Sequence, residues 1–89
     1  MEIFFDEAFE KSIKKLSDRK VKDRIVTLIA RVGEIKDLTE IANIKKLQGY
    51  KNFYRIRIGD YRIGIELLED NSVLFIIAAH RREIYRYFP

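Results

Sequence analysis

The spacing of apolar positions changes near residue 53, and that change divides the chain into a helical half and a sheet half. The short apolar stretch from Glu2 to Phe5 reads as a strand. Asp6 behind it is a good helix N-cap, with Glu7 in the first turn, where a carboxylate meets the positive end of the helix dipole. Phe9, Ile13 and Leu16 then recur at helical spacing, while Glu10, Lys11, Lys14 and Lys15 take the other face. Ser17-Asp18 breaks the pattern and caps a second helix whose stripe is Val21, Ile25, Leu28, Ile29 and Val32. Gly33 is expected to end that helix, because glycine enters the left-handed conformation freely. Two amphipathic helices joined by a short turn form a hairpin whose shared stripe must cover something apolar.

Between Glu34 and Lys51 the spacing of Leu38, Ile41, Ile44 and Leu47 is weak, and it predicts an irregular connection with at most a turn of helix. From Phe53 the period is two. Tyr54, Ile56 and Ile58 alternate with Phe53, Arg55 and Arg57; after Gly59-Asp60, Tyr61, Ile63, Ile65 and Leu67 alternate with Arg62, Gly64 and Glu66. Gly at the first position of a two-residue loop suits a type II′ turn, which matches the twist of paired strands. Glu69 to Ser72 makes the next turn, Val73 to Ala79 is an apolar run of strand length, and Glu83 to Phe88 is a closing turn or tail. The expected fold is α+β and a single domain, residues 1–89. An N-terminal strand and a two-helix hairpin precede a three-strand antiparallel meander, and the helices pack on one face of the one sheet.

Composition narrows the class of protein. The 89 residues are 47% hydrophobic, enough for one modest core and too few for two. With no Cys, a disulfide scaffold, a thiolate zinc site and a catalytic cysteine are all excluded. No apolar run approaches the roughly 20 residues of a membrane span, and Met1 to Asp6 lacks the pattern of a signal peptide. The expectation is a cytoplasmic protein with no membrane partner.

The net charge is +4, and its distribution says more than its size. Up to Ile44 nine Lys or Arg balance nine Asp or Glu, whereas from Lys45 onward nine bases face five acids. That half is the expected footprint of a surface that meets a polyanion, the other reading being a solubilising excess.

With Gly59-Asp60 as the loop, Ile58 lies opposite Tyr61, Arg57 opposite Arg62 and Arg55 opposite Gly64, so three arginines gather on one face. Like charges directly opposed destabilise a strand pair. A purely structural hairpin gains nothing from the arrangement. An anionic ligand reverses the sign, since each guanidinium can hold phosphate oxygens through two parallel hydrogen bonds, and Gly64 would leave room for a backbone to approach beside Arg55. Pairing Leu68 with Val73 places Ala79 opposite Arg62, which brings His80, Arg81 and Arg82 to the same end of the sheet. His80 is the only histidine, so no histidine cluster is available to bind a metal, and neither metal nor cofactor is expected.

Cleaving RNA needs no metal if the ribose 2′-hydroxyl is the nucleophile; a group must take its proton, charge on the phosphorane must be neutralised, and the leaving oxygen must be protonated. His80 or a neighbouring polar group fits the first role, Arg62 and Arg82 the second, and Tyr85 or His80 the third. Lys45, Lys46, Lys51 and Arg81 are expected to contact RNA phosphates. An exposed member of the aromatic set interleaved with these bases could stack on a nucleobase, although core packing accounts for most of it.

The runs Leu47-Gln48-Gly49-Tyr50, Tyr54-Arg55-Ile56-Arg57-Ile58-Gly59-Asp60-Tyr61-Arg62-Ile63 and Ala79-His80-Arg81-Arg82-Glu83-Ile84-Tyr85 resemble the RelE branch of the RelE/ParE toxin superfamily. The resemblance covers the whole chain in length and element order. It implies a type II toxin that cuts messenger RNA in the ribosomal A site, leaves a 2′,3′-cyclic phosphate, and is held inactive by an acidic RelB-like antitoxin in a hetero-oligomer. By position it carries basic site residues onto Arg55, Arg57, Arg62 and Arg82, and a tyrosine onto Tyr85. Members often carry lysine where this chain has Arg55 and Arg57, and an arginine cannot act as a base, which makes His80 the natural substitute. The alternative within the same superfamily is a ParE-like toxin that binds DNA gyrase and has no nuclease activity.

Overall fold

The computed structural model describes residues 1–89. Strand β1 (Ile3–Phe5) is followed by helices α1 (Glu7–Lys15) and α2 (Arg19–Glu34) and a 3-10 turn (Leu38–Glu40). Strands β2 (Ile44–Lys46), β3 (Phe53–Ile58), β4 (Tyr61–Leu67) and β5 (Val73–His80) come next, and a last turn of helix, α3 (Ile84–Tyr87), closes the chain. The helices begin where the sequence places them. The Asp6 carboxylate accepts from the Ala8 N–H, and that of Asp18 from the Val21 N–H, so each satisfies a donor the helix cannot.

Helix α2 does not stop at Gly33. It runs on to Glu34 with Ile35 as its C-cap, and Gly33 is not among the residues with positive φ. The reason lies at the other end of the chain: the Met1 ammonium donates to the carbonyls of Val32, Gly33 and Ile35 at 3.3, 3.1 and 2.8 Å. The terminal carbonyls are thereby satisfied, and a cation sits at the negative end of the dipole, so no left-handed cap is needed.

The sheet has five strands in the order β1-β5-β4-β3-β2, with β1 parallel to β5 and the other pairs antiparallel. The segment expected to be an irregular connection therefore contains an edge strand. β2 sets Ile44, Lys45 and Lys46 opposite Ile56, Arg55 and Tyr54. Three residues, two of them charged, give no readable alternation, and lysine is a common guard on an exposed edge.

The β3–β4 register is the expected one, with Arg57 opposite Arg62 and Arg55 opposite Gly64. Gly59 has φ 56° while Asp60 stays out of the left-handed region, as a type II′ turn requires. On the other side, Arg62 faces Ala79 as expected, but Leu67 rather than Leu68 faces Val73. A bulge opposite Gly64 and Ile65 leaves Ile76 without a partner, and that one extra residue absorbs the difference.

Helices α1 and α2 cover one face, where Phe9, Leu16, Val21, Ile25 and Val32 meet Ile56, Ile58, Ile63, Ile65 and Phe75. The Ser12 hydroxyl ties α1 to β5, donating to the Phe9 carbonyl and accepting from the Ala78 N–H. The opposite face carries a smaller cluster of Leu47, Ile77, Ala79, Ile84 and Phe88. Here a further expectation fails: the space over Gly64 is taken by the Phe88 ring, whose carbons would lie 2.6 Å from a Cβ at that position.

Two exposed carboxylates cap the connecting turns. The Thr39 N–H, and then the Thr39 hydroxyl, hold Asp37 below the usual carboxylate range. The Ser72 hydroxyl, and then its N–H, do the same for Asp70. A carboxyl whose folded value is depressed stabilises the fold above its unfolded pKa, and that contribution fades as pH falls through the folded value. Replacing Asp37 and Asp70 with Asn is therefore expected to narrow the gap between melting temperatures at neutral pH and about pH 3; an unchanged gap would show that the two caps carry no linkage.

Candidate active site

Alternation along β3 sends Tyr54, Ile56 and Ile58 toward the helices and leaves Arg55 and Arg57 on the opposite face. Pairing adds Arg62 from β4 beside Arg57 and Lys45 from β2 beside Arg55. After β5 the chain turns tightly: the Arg81 N–H donates to the Asp60 carbonyl at 2.7 Å and the Glu83 N–H to the His80 carbonyl at 2.8 Å. This turn brings Arg81 and Arg82 to the same end, and α3 then sets the Tyr85 ring 5.1 Å from the Arg55 guanidinium. The result is a cleft of about 730 Å³ whose lining includes six cations (Lys45, Arg55, Arg57, Arg62, Arg81, Arg82) and Tyr85, and no carboxylate.

Neutral acceptors hold most of the opposed charges apart. Arg57 donates through Nη2 to Oδ1 of Asn43 at 3.2 Å. Arg62 turns back and donates through Nη1 to the carbonyls of Gly59 and Tyr61 at 3.0 and 2.9 Å. Arg81 alone has an acidic neighbour, Asp60, at 3.9 Å. Carbonyl dipoles orient a guanidinium without cancelling its charge, so the field in the cleft stays strongly positive.

Asn43 was not singled out from the sequence. It sits in the left-handed region at φ 62°, which Asn tolerates better than most residues, and its backbone carbonyl also accepts from the Arg57 N–H at 3.1 Å. Its one signal was a turn-forming residue lying just before a strand that the spacing did not reveal.

His80 is not with the arginines. Because Ala79 shares the face of Arg62, its successor points the other way, and the imidazole packs edge-on against Tyr61 at 5.6 Å between ring centres. It lines a separate hollow with Ser12, Lys15 and Tyr87, and its Nδ1 accepts from the Arg82 N–H at 3.2 Å. His80 thus shapes the turn that carries Arg82. Lys46 shares the face of Tyr54 and borders Asp37 and Leu38, and Lys51 lies in the loop before β3, outside the cleft. Of the expected phosphate contacts, Lys45 and Arg81 are at the cleft. No group of three His, Cys, Asp or Glu side chains is placed to share an ion.

Residues 3–85 match the family model described as ParE toxin of type II toxin-antitoxin system, parDE. The protein named Toxin RelE3 from Methanocaldococcus jannaschii is 39% identical over 90 residues spanning the whole of both chains. The fold is similar to that in the crystal structure of a RelB-RelE antitoxin-toxin complex from Methanococcus jannaschii, with TM-score 0.83 and 38% identity over 97% of this chain and 99% of that one. An archaeal RelE-RelB complex from Pyrococcus horikoshii shares the fold, with TM-score 0.73 and 19% identity over 90% of this chain and 93% of that one. The chain belongs to the RelE/ParE superfamily of type II toxins, in its RelE-like branch.

The opposed pair makes a test that needs no substrate. Arg62→Ala removes a like charge beside Arg57 at the loss of two hydrogen bonds to turn carbonyls at or near the surface, so the melting temperature is expected to stay level or rise, with the larger rise at low salt. A clear drop would make Arg62 a structural residue.

Proposed function

We propose that this toxin is a metal-independent endoribonuclease that cuts messenger RNA in the ribosomal A site and so inhibits translation. The observation that carries the reading is the convergence of Arg55, Arg57, Arg62 and Arg82 with Tyr85 on a cleft free of carboxylates. Such a surface suits a phosphodiester as its charge grows in the transition state. The RNA supplies its own nucleophile: the 2′-oxygen bonds to phosphorus, the bond from phosphorus to the 5′-oxygen breaks, and a 2′,3′-cyclic phosphate and a 5′-hydroxyl result. The 2′-hydroxyl gives its proton to water or to a ribosomal group, Arg62 and Arg82 neutralise the phosphorane, and the Tyr85 hydroxyl protonates the leaving 5′-oxygen. Arg55 and Arg57 grip the adjoining phosphates, with Lys45 and Arg81 at the rim. A ParE-like action on DNA gyrase is favoured by the description of the family model, and it predicts that RNA stays intact in the same assay.

Single-turnover cleavage on programmed ribosomes tests the reading. Arg62→Ala is expected to lower the rate by at least about a hundredfold at all pH values, the scale of losing one charge-stabilising donor. His80→Ala is expected to cost well under the roughly hundredfold minimum typical of a proton-transfer group, since its ring stands off the cleft. Intact messenger with the unaltered toxin would discard the nuclease reading, and a large, pH-dependent loss with His80→Ala would return His80 to the role of base.

The partner we propose is an acidic RelB-like antitoxin in a toxin–antitoxin hetero-oligomer. The +4 charge, all of it in the second half of the chain, supports a charge-driven interface. Calorimetric affinity is then expected to weaken as ionic strength rises, and equal affinity at low and high salt would remove charge as the driving force.

A further inference from the structure

Tyr85 stands at the cleft without a hydrogen bond to hold it there. It is 74% exposed, and the Arg55 guanidinium stands 5.1 Å from its ring centre. The helix that carries it, α3, is four residues long, and its N-cap, Glu83, makes no side-chain capping bond. So short a helix has no stability of its own, and its placement must come from packing. Two residues supply that packing: Ile84, 1% exposed, and Phe88, 3% exposed.

Phe88 is held on three sides. Its N–H closes the helix on the Ile84 carbonyl at 2.9 Å, and its ring meets Phe53 edge-on at 5.4 Å between centres. The third side is the sheet itself at Gly64. A Cβ there would lie 2.6, 2.6 and 2.9 Å from three ring carbons, closer than atoms can approach. Gly64 is not among the glycines with positive φ, so its backbone suits alanine, and the three atoms nearest to a Cβ there all belong to the Phe88 ring. Gly64 also faces Arg55 across β3. The socket and the arginine beneath Tyr85 therefore belong to one rung of the sheet.

We propose that Phe88 and Gly64 are positioning residues which, as ring and socket, fix α3 so that Tyr85 stands over Arg55. This rests on the cleavage reading for the role of Tyr85, but the placement itself can be read without RNA.

The toxin labelled with 3-fluorotyrosine gives one fluorine signal per tyrosine, and Tyr85→Phe identifies the signal of residue 85. Phe88→Leu is expected to shift and narrow that signal toward a free tyrosine while those of Tyr54 and Tyr61 stay in place. An unmoved residue-85 signal in a folded Phe88→Leu protein overturns the proposal, whether or not the protein cuts RNA. Should Phe88→Leu unfold, the reciprocal pair decides. Gly64→Ala is expected to displace the residue-85 signal and lower the melting temperature, and in the Phe88→Ala background the same change should be nearly neutral. Equal effects in both backgrounds would show that the socket does not act through Phe88.

On ribosomes, Phe88→Leu is expected to lower the single-turnover rate about tenfold with little change in the half-saturating ribosome concentration. It should add no further loss in the Tyr85→Phe background, because residues acting as a unit are not additive. Additive losses would assign Phe88 a role separate from Tyr85. No cleavage by the unaltered toxin would end the nuclease reading, and the fluorine signal would still judge the placement.

Discussion

The register of the β3–β4 hairpin is the constraint on which the site depends. Side chains on a strand alternate between faces, so a slip of one residue would carry Arg55, Arg57 and Arg62 into the helix-covered core and turn Ile56, Ile58 and Ile63 out to solvent. The two-residue turn at Gly59-Asp60 and the burial of those isoleucines fix the same register independently. The cationic face is in this sense the reverse side of the hydrophobic core. What holds the arginines together is apolar burial, which must outweigh the repulsion between them.

That repulsion is managed locally. Asn43 takes one guanidinium and the turn carbonyls take another, while Lys45 and Arg55 stay directly opposed across the β2–β3 pair, with the Tyr85 ring against Arg55. Carboxylates would have held the cations more firmly, but they would also have competed with a phosphate for them. Neutral acceptors orient without competing. This fold thus offers a sheet on which charges of one sign can be crowded, with the helices sealing the far side.

The hairpin was legible because six consecutive positions alternate on either side of a Gly that only a tight turn explains. The helices were legible from their caps and stripes. β2 was not, since its pairing is decided by Ile56 and Arg55 from another part of the chain. The bulge at Ile76 hides inside a run apolar at every position, where nothing marks a change of phase. The face of His80 was in principle readable by counting from Ala79, whereas grouping by sheet end placed it wrongly among the cations. The filling of the Gly64 hollow by Phe88 joins residues 24 positions apart and leaves no local trace.

A cleft with six cations and no carboxylate behaves as a small ion exchanger. In any buffer its guanidiniums will be in equilibrium with whatever anions are present, and polyvalent ones such as phosphate or sulfate will be held most strongly. Uptake of any polyanion is then a displacement reaction rather than a simple addition. Its apparent strength is set by the identity of the buffer anion as much as by the polyanion, so two laboratories working at equal ionic strength in chloride and in phosphate would be measuring different equilibria.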